Sequence, residues 1–304
     1  MHYVSFYIAS GPAYISGNVV TIHGAGTVVV AAVQAGNASY SAAPRVTWSI
    51  TVNQAGQTIT FAPPASPVGY GLVPIRLAAT ASSGLAVTFS VSSGPATVSG
   101  NLLTVNGLGA VLVAANQPGN SNYLPAEPVT QSITVNQGTQ TVAFTQPSSP
   151  VNYGVGPITL AATGGASGNP VIFNVVTGSA TIQGNQLTIT GAGPVEVAAN
   201  QAGNADFMDA APVTKSITVN PATQTITFAQ PPSPVTYGVA PIALSATASS
   251  GLPVTFYVAS GPAYISGNIL TIHGAGTVVV AAIQAGNTNY SAATRITWSI
   301  TVNQ

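Results

Sequence analysis

Ala263-Tyr264-Ile265-Ser266, Ile269-Leu270-Thr271-Ile272-His273 and Thr277-Val278-Val279-Val280-Ala281-Ala282-Ile283 follow one another with only Ser266-Gly267-Asn268 and Gly274-Ala275-Gly276 at the breaks. Short runs rich in β-branched residues and bounded by turn-forming ones read as strands. Outward from them, 225–228, 241–247 and 253–258 precede and 295–302 follows, with Pro231-Pro232-Ser233-Pro234, Ser249-Ser250-Gly251 and Ala285-Gly286-Asn287 between. No stretch carries a 3.6-residue apolar period over a helical length. About seven strands in about 83 residues predicts an all-β, immunoglobulin-like sandwich. The coils of a β-solenoid are far shorter than that.

The pattern recurs. Gln57-Thr58-Ile59-Thr60-Phe61 returns as Gln140-Thr141-Val142-Ala143-Phe144 and as Gln224-Thr225-Ile226-Thr227-Phe228, at steps of 83 and 84 residues. Tyr70-Gly71, Tyr153-Gly154 and Tyr237-Gly238 keep step, as do Ser99-Gly100-Asn101, Gln183-Gly184-Asn185 and Ser266-Gly267-Asn268. So do the closing Ser132-Ile133-Thr134-Val135, Ser216-Ile217-Thr218-Val219 and Ser299-Ile300-Thr301-Val302. Residues 5–54 align without gaps to 255–304, identical at 41 of 50 positions, but lack any counterpart of 224–251. The sequence therefore predicts four units: an incomplete copy over 1–54, missing its first two strands, and complete copies over 55–138, 139–222 and 223–304. Duplication in blocks of three repeats accounts for the likeness of first and last copies and predicts a longer parent protein. Four-residue connections such as Asn53-Gln54-Ala55-Gly56 are too short for free tethers, so the copies are expected to abut as a semi-rigid rod.

Composition narrows function. The 304 residues hold 4 Lys+Arg and 4 Asp+Glu, for zero net charge, with charged residues at 3% and no cysteine. Disulfides and thiolate metal sites are excluded. Four basic residues cannot sustain nucleic-acid binding by counterion release. Hydrophobic residues reach 46%, but the longest apolar run, 28–33, is far below the roughly 20 residues of a spanning helix. No cofactor, no nucleic-acid partner and no membrane span are expected. No charged n-region and apolar h-region open the sequence.

Tyr-Gly before a strand, Ala-Thr-Ala-Ser-Ser-Gly-Leu at 79–85 and 246–252, Ser-Gly-Asn and a closing Ser-Ile-Thr-Val together resemble bacterial Ig-like repeats. The pattern is most similar to the YGX-type MBG repeat of large secreted surface proteins and adhesins. It covers the three complete copies, and the partial copy from its third strand onward. That resemblance implies extracellular, multi-domain, non-catalytic extender modules and carries no catalytic residues. The scarcity of acids here departs from adhesin stalks whose linkers are stiffened by calcium.

Asp206 and Asp209 flank Phe207 in a loop whose other copies hold no acid, and read as solvated loop residues. Two carboxylates also fall short of the six to eight oxygens calcium takes. His23 and His273 align with Asn106 and Thr190 and read as a turn position. Lys215, the sole lysine, aligns with Trp48, Gln131 and Trp298 and reads as a rim position. Tyr40, Tyr123, Phe207 and Tyr290 recur once per copy and read chiefly as loop anchors. Glu196 aligns with Val29, Leu112 and Val279, which marks that strand parity as outward-facing. Val29, Leu112, Val279, Tyr14, Tyr264, Trp48 and Trp298 are thus the candidate contact surface. The expected function is a non-enzymatic structural segment of an extracellular or cell-surface fibre, sheath or stalk. Its partners would be other copies of itself, end to end, lateral or strand-exchanged. The alternative is a glycan- or protein-binding segment of a surface adhesin.

Overall fold

The computed structural model describes residues 3–304, which form strands and turns with no helix. The chain divides into two compact units, Met1–Thr139 with Asn204–Met208, and Gln140–Gly203 with Asp209–Gln304. Each is built of immunoglobulin-like β-sandwich copies in tandem.

In the second unit the last copy shows the plan. One sheet runs in the order Val235–Thr236, Ile296–Asn303, Gly276–Ile283, Thr255–Ser260. A second runs Ile242–Ala243, Ile269–Ile272, Ala263–Ser266, and a third pairs Ile226–Phe228 with Ala246–Ala248. Alternation decides which face turns inward. In Ile296–Asn303, Ile300 and Val302 are buried while Thr297, Ser299 and Thr301 are exposed. Leu270, Val278, Val280 and Ile300 are wholly buried at the centre. Phe228 meets Phe256 across the sheets at 5.4 Å between ring centroids. The copy from Ala143–Phe144 to Val213–Asn220 repeats this plan around Leu187, Val195, Val197 and Ile217. In the first unit, Ile59–Phe61 to Val129–Asn136 does so around Leu103, Val111, Val113 and Ile133. Each such side chain contributes about 1.5–3 kcal/mol of burial.

Two details correct the sequence reading and raise the strands per complete copy to nine. The run 241–247 is not one strand. Ile242–Ala243 pairs with Ile269–Ile272, and Ala246–Ala248 pairs with Ile226–Phe228. Between them Leu244 turns into the core, 3% exposed, as the chain changes sheets. Val235–Thr236 was not anticipated: it runs parallel to the end of Ile296–Asn303. The segment before it is pinned by Ser233 Oγ, which accepts the Thr301 N–H at 3.0 Å.

Each complete copy also draws a pair of glutamines inward, all buried except the half-buried Gln57. Gln224 Nε2 donates to Gln284 Oε1 and to the Ser291 carbonyl, both at 2.7 Å. Gln57 Nε2 makes the same bonds to Gln117 Oε1 and Leu124 O. No fully buried side-chain nitrogen or oxygen among the described residues lacks a hydrogen-bond partner, as a low-dielectric interior demands.

The first copy is a three-stranded sheet, Ser5–Ser10, Gly26–Val33 and Val46–Val52, beside the hairpin Ala13–Ser16/Val19–Ile22. The sequence leads one to expect greater exposure at Phe6, Ile8, Val28 and Val30 than at Phe256, Val258, Val278 and Val280. Phe6 and Val30 follow the expectation: Phe6 is 44% exposed and Phe256 half-buried, Val30 half-buried and Val280 at 0%. Ile8 matches Val258, and Val28 is as buried as Val278. The Gly11 turn, retained in this copy, lies directly against the Thr27 and Val28 backbone.

Candidate functional site

The loop after the long central strand carries the aromatic noted above, and it is built the same way each time. Asn120 Oδ1 accepts the N–H groups of Asn122 and Tyr123 at 2.8 and 3.0 Å. Asn37, Asn204 and Asn287 do the same in the other copies. This Asx turn holds the loop rigidly, and the loop then grips the linker. The Ala55 N–H donates to Asn122 O and Ala55 O accepts from Leu124 N, both at 2.9 Å. Within the second unit, Ala222 makes the same pair with Asn289 and Ser291. Within the first, Gly138 does so with Asp206 and Met208.

Side chains complete each junction. Asn122 Oδ1 accepts the Ala25 N–H at 2.9 Å, and Asn289 Oδ1 the Ala192 N–H at 2.8 Å. Tyr153 and Tyr290 stack edge to face with centroids 5.5 Å apart, as do Tyr70 and Phe207. The Tyr-Gly element explains itself here. The Tyr153 N–H donates to Asn220 O and the next residue, Gly154, takes φ +83°, a left-handed turn that glycine adopts without strain. The linker position is closely packed at Gly138, where a Cβ would lie 2.3 Å from Tyr70 O and 2.9 Å from the Phe207 ring; the other two junctions hold Ala55 and Ala222 there. Tyr237, counterpart of Tyr153, is 55% exposed, and Tyr40, counterpart of Tyr290, is 70% exposed.

The ring pair yields a direct prediction. In a double-mutant cycle, Tyr153→Ala and Tyr290→Ala should show a coupling of about 1 kcal/mol in urea unfolding of the second unit. Strict additivity would mean that the rings do not hold the copies together.

The other candidates fall as follows. Val29, Leu112, Val279 and Glu196 share the outward parity and are half-buried, because each lies on a central strand between two neighbours. Tyr14 and Tyr264 are exposed, with Tyr14 against His23 at 6.5 Å. Trp298 donates Nε1–H to Phe228 O at 3.0 Å, and Gln131 donates to Phe61 O in the same manner. Trp48 is 74% exposed. His23, Asn106, Thr190 and His273 each donate a backbone N–H across the turn. Asp209 Oδ1 accepts the Gly203 N–H, and Asp206 lies in the Asx turn. The described residues include no cluster of three or more His, Cys, Asp or Glu suited to a metal, and no helix long and apolar enough to cross a membrane. A cleft of about 560 Å³ opens in the second copy, lined by Thr60, Arg76, Phe89 and Asn101 among others. Sequence reasoning missed the role of the asparagines; the signal was Asn37, Asn120, Asn204 and Asn287 three residues before each loop aromatic, with Asn122 and Asn289 directly before two of them.

No family model and no curated protein matches this sequence. Among solved structures, Drosophila N-cadherin EC1-4 is similar over 99% of this chain and 92% of its own, at 12% identity and a TM-score of 0.28. The N-terminal eight Ig domains of Down Syndrome Cell Adhesion Molecule align over 100% of this chain and 45% of theirs, at 14% identity and a TM-score of 0.32. The D00-D0 domain of intimin aligns over 52% of this chain and 98% of its own, at 19% identity and a TM-score of 0.22. At such scores these likenesses carry no argument, and the fold reading rests on the chain's own sheets.

Proposed function

We propose that this chain is a structural, non-catalytic segment of an extracellular or cell-surface fibre, sheath or stalk, composed of Ig-like modules at 1–54, 55–138, 139–222 and 223–304. The observation that carries the proposal is the repeated junction: the same loop grips the same linker position at Ala55, Gly138 and Ala222. A protein that invests recurring sequence in fixing neighbour to neighbour is made for mechanical continuity. The near absence of charge supports the reading, since net charge normally keeps molecules apart. Val29, Leu112, Val279, Tyr14, Tyr264 and Trp48, with the exposed Tyr237, are the proposed self-contact surface. The Tyr-Gly pattern supports membership among MBG-like bacterial repeats. Negative-stain microscopy of the purified chain tests the function: long fibres support it, and isolated short particles at all concentrations oppose it.

A second reading, a ligand-binding adhesin segment, draws on the cleft beside Arg76. Arg76 aligns with Thr159 and Ala243, so this charged lining belongs to one copy alone. Glycan binding abolished by Arg76→Ala would favour it.

The proposed role also predicts indifference to pH. With four acids and four Lys or Arg in 304 residues, few protons can be taken up or released on unfolding. Unfolding free energy should change by less than about 1 kcal/mol between roughly pH 3 and 9. Urea midpoints across that range provide the check, and a steep acid loss would reveal carboxylates on which folding depends.

A further inference from the structure

The cleft of the second copy lies where the chain changes sheets. Leu77 and Ala78 join Ile75–Arg76 of one sheet to Ala79–Ala81 of another, and the edge strand Thr88–Ser93 adds Phe89 to the wall. The space of about 560 Å³ falls within the roughly 300–1,000 Å³ of small-molecule pockets. Its walls are fixed in advance. The Leu77 N–H donates to Asn101 O at 2.8 Å and the Ala62 N–H to Ala78 O at 3.1 Å. Phe89 packs on Phe61 with ring centroids 5.4 Å apart, and Leu77 is buried. Thr60 and Thr80 are exposed cross-strand partners, and with the half-buried Asn101 they bring hydroxyl and amide groups to the lining. Arg76 is the one charge in that lining. It is exposed, and no described residue bonds its guanidinium. The fold does not require it: the same two-residue strand forms in the last copy with Ala243 at that position. Leucine, phenylalanine and asparagine stand at the Leu77, Phe89 and Asn101 positions in all three complete copies, so the arginine is what sets this cleft apart.

We propose that this cleft binds a hexuronic acid residue of an acidic polysaccharide. The proposal rests on the adhesin reading and narrows it to carboxylate-bearing glycans. The planar fork of a guanidinium matches a carboxylate with two parallel N–H···O bonds. The apolar walls at Leu77, Val87 and Phe89 suit the C–H face of a pyranose ring, while Thr60, Thr80 and Asn101 suit its hydroxyls. A cleft with low-dielectric walls focuses the field of the charge it holds. Besides Arg76, the first unit carries only Arg45, Glu127 and Asp206 as charged residues, so little competes with an incoming anion. A neutral sugar would leave the arginine unpaired, and a carboxylate on the ring pairs it.

The test titrates the full chain with a galacturonic acid hexamer and follows backbone amides by NMR. Shifts should concentrate at Thr60, at 76–80, at Phe89 and at Asn101, and saturate with a Kd of about 1 mM or below. The same hexamer with its carboxyls reduced to alcohols should bind at least about tenfold more weakly. Arg76→Ala, a change the last copy already tolerates at Ala243, should weaken the acidic hexamer by a similar factor. Arg76→Lys keeps the charge and loses the fork, and should fall between wild type and alanine. Equally tight binding of the reduced hexamer at the same amides overturns the proposal and leaves the adhesin reading standing. If neither hexamer moves those amides at about 10 mM, enough to populate a millimolar complex, the proposal is overturned and the adhesin reading loses its cleft as well. Undiminished binding by Arg76→Ala overturns the proposal, as do shifts of equal size at the counterparts around Ala243, where no arginine stands.

Discussion

Gly261→Ala should destabilise the last copy by about 3 kcal/mol or more, whereas Gly251→Ala should cost only about 1 kcal/mol. Both glycines have positive φ, +101° and +74°, so both substitutions carry the backbone cost. Only one carries a collision. A Cβ on Gly261 would stand 2.3 Å from Thr277 O and 2.7 Å from Val278 Cα, whereas one on Gly251 meets nothing within 4 Å. Relief requires moving the Gly276–Ile283 strand, which holds the buried Val278 and Val280. Gly11, Gly94 and Gly178 face the same close approach, so the requirement belongs to the repeat. Urea unfolding of the two variants gives the comparison; equal losses would mean that the strand accommodates the methyl group and that the tight crossing is not a constraint.

Ile300→Ala should cost about 3–4 kcal/mol, near the middle of the range for truncating a fully buried isoleucine. Ile50→Ala, the identical change in the first copy, should cost about 1 kcal/mol or less, because a half-buried side chain leaves no sealed cavity. Sequence context does not explain the difference: Trp-Ser-Ile-Thr-Val surrounds both residues. The contrast comes from Ile226–Phe228 and its neighbours, which cover only one of them. Proteolysis kinetics or amide exchange resolved by copy would separate the two effects. Equal costs would show that the first copy has cover equivalent to that of the last.

Much of this architecture was legible in the sequence because alternation is a local signal. Ala263–Ser266 is a strand with the bounds its residues suggest, and Gly267 turns the chain directly into Ile269–Ile272. Val235–Thr236 was not legible: two residues cannot display a period, and their partner lies more than sixty residues away. The run 241–247 concealed a change of sheet, since a strand that crosses from one sheet to another keeps its alternation. Glu196, Val29, Leu112 and Val279 are half-buried because neighbouring strands flank them on both sides, which a single strand's sequence does not display. The loop aromatics were visible as a recurrence. Their task was not, because the ring that meets Tyr153 is Tyr290, in the next copy.

In the proposed role, load passes through copies that fold one by one. Pulling the full chain by its ends in a single-molecule instrument tests it most directly. The account predicts three unfolding events of comparable force, each releasing about 26–30 nm of contour, the length of one 83-residue copy at about 3.6 Å per residue less its folded span. The first copy should extend at low force without an event of that size. Four equal events, or two events of double length, would contradict the account.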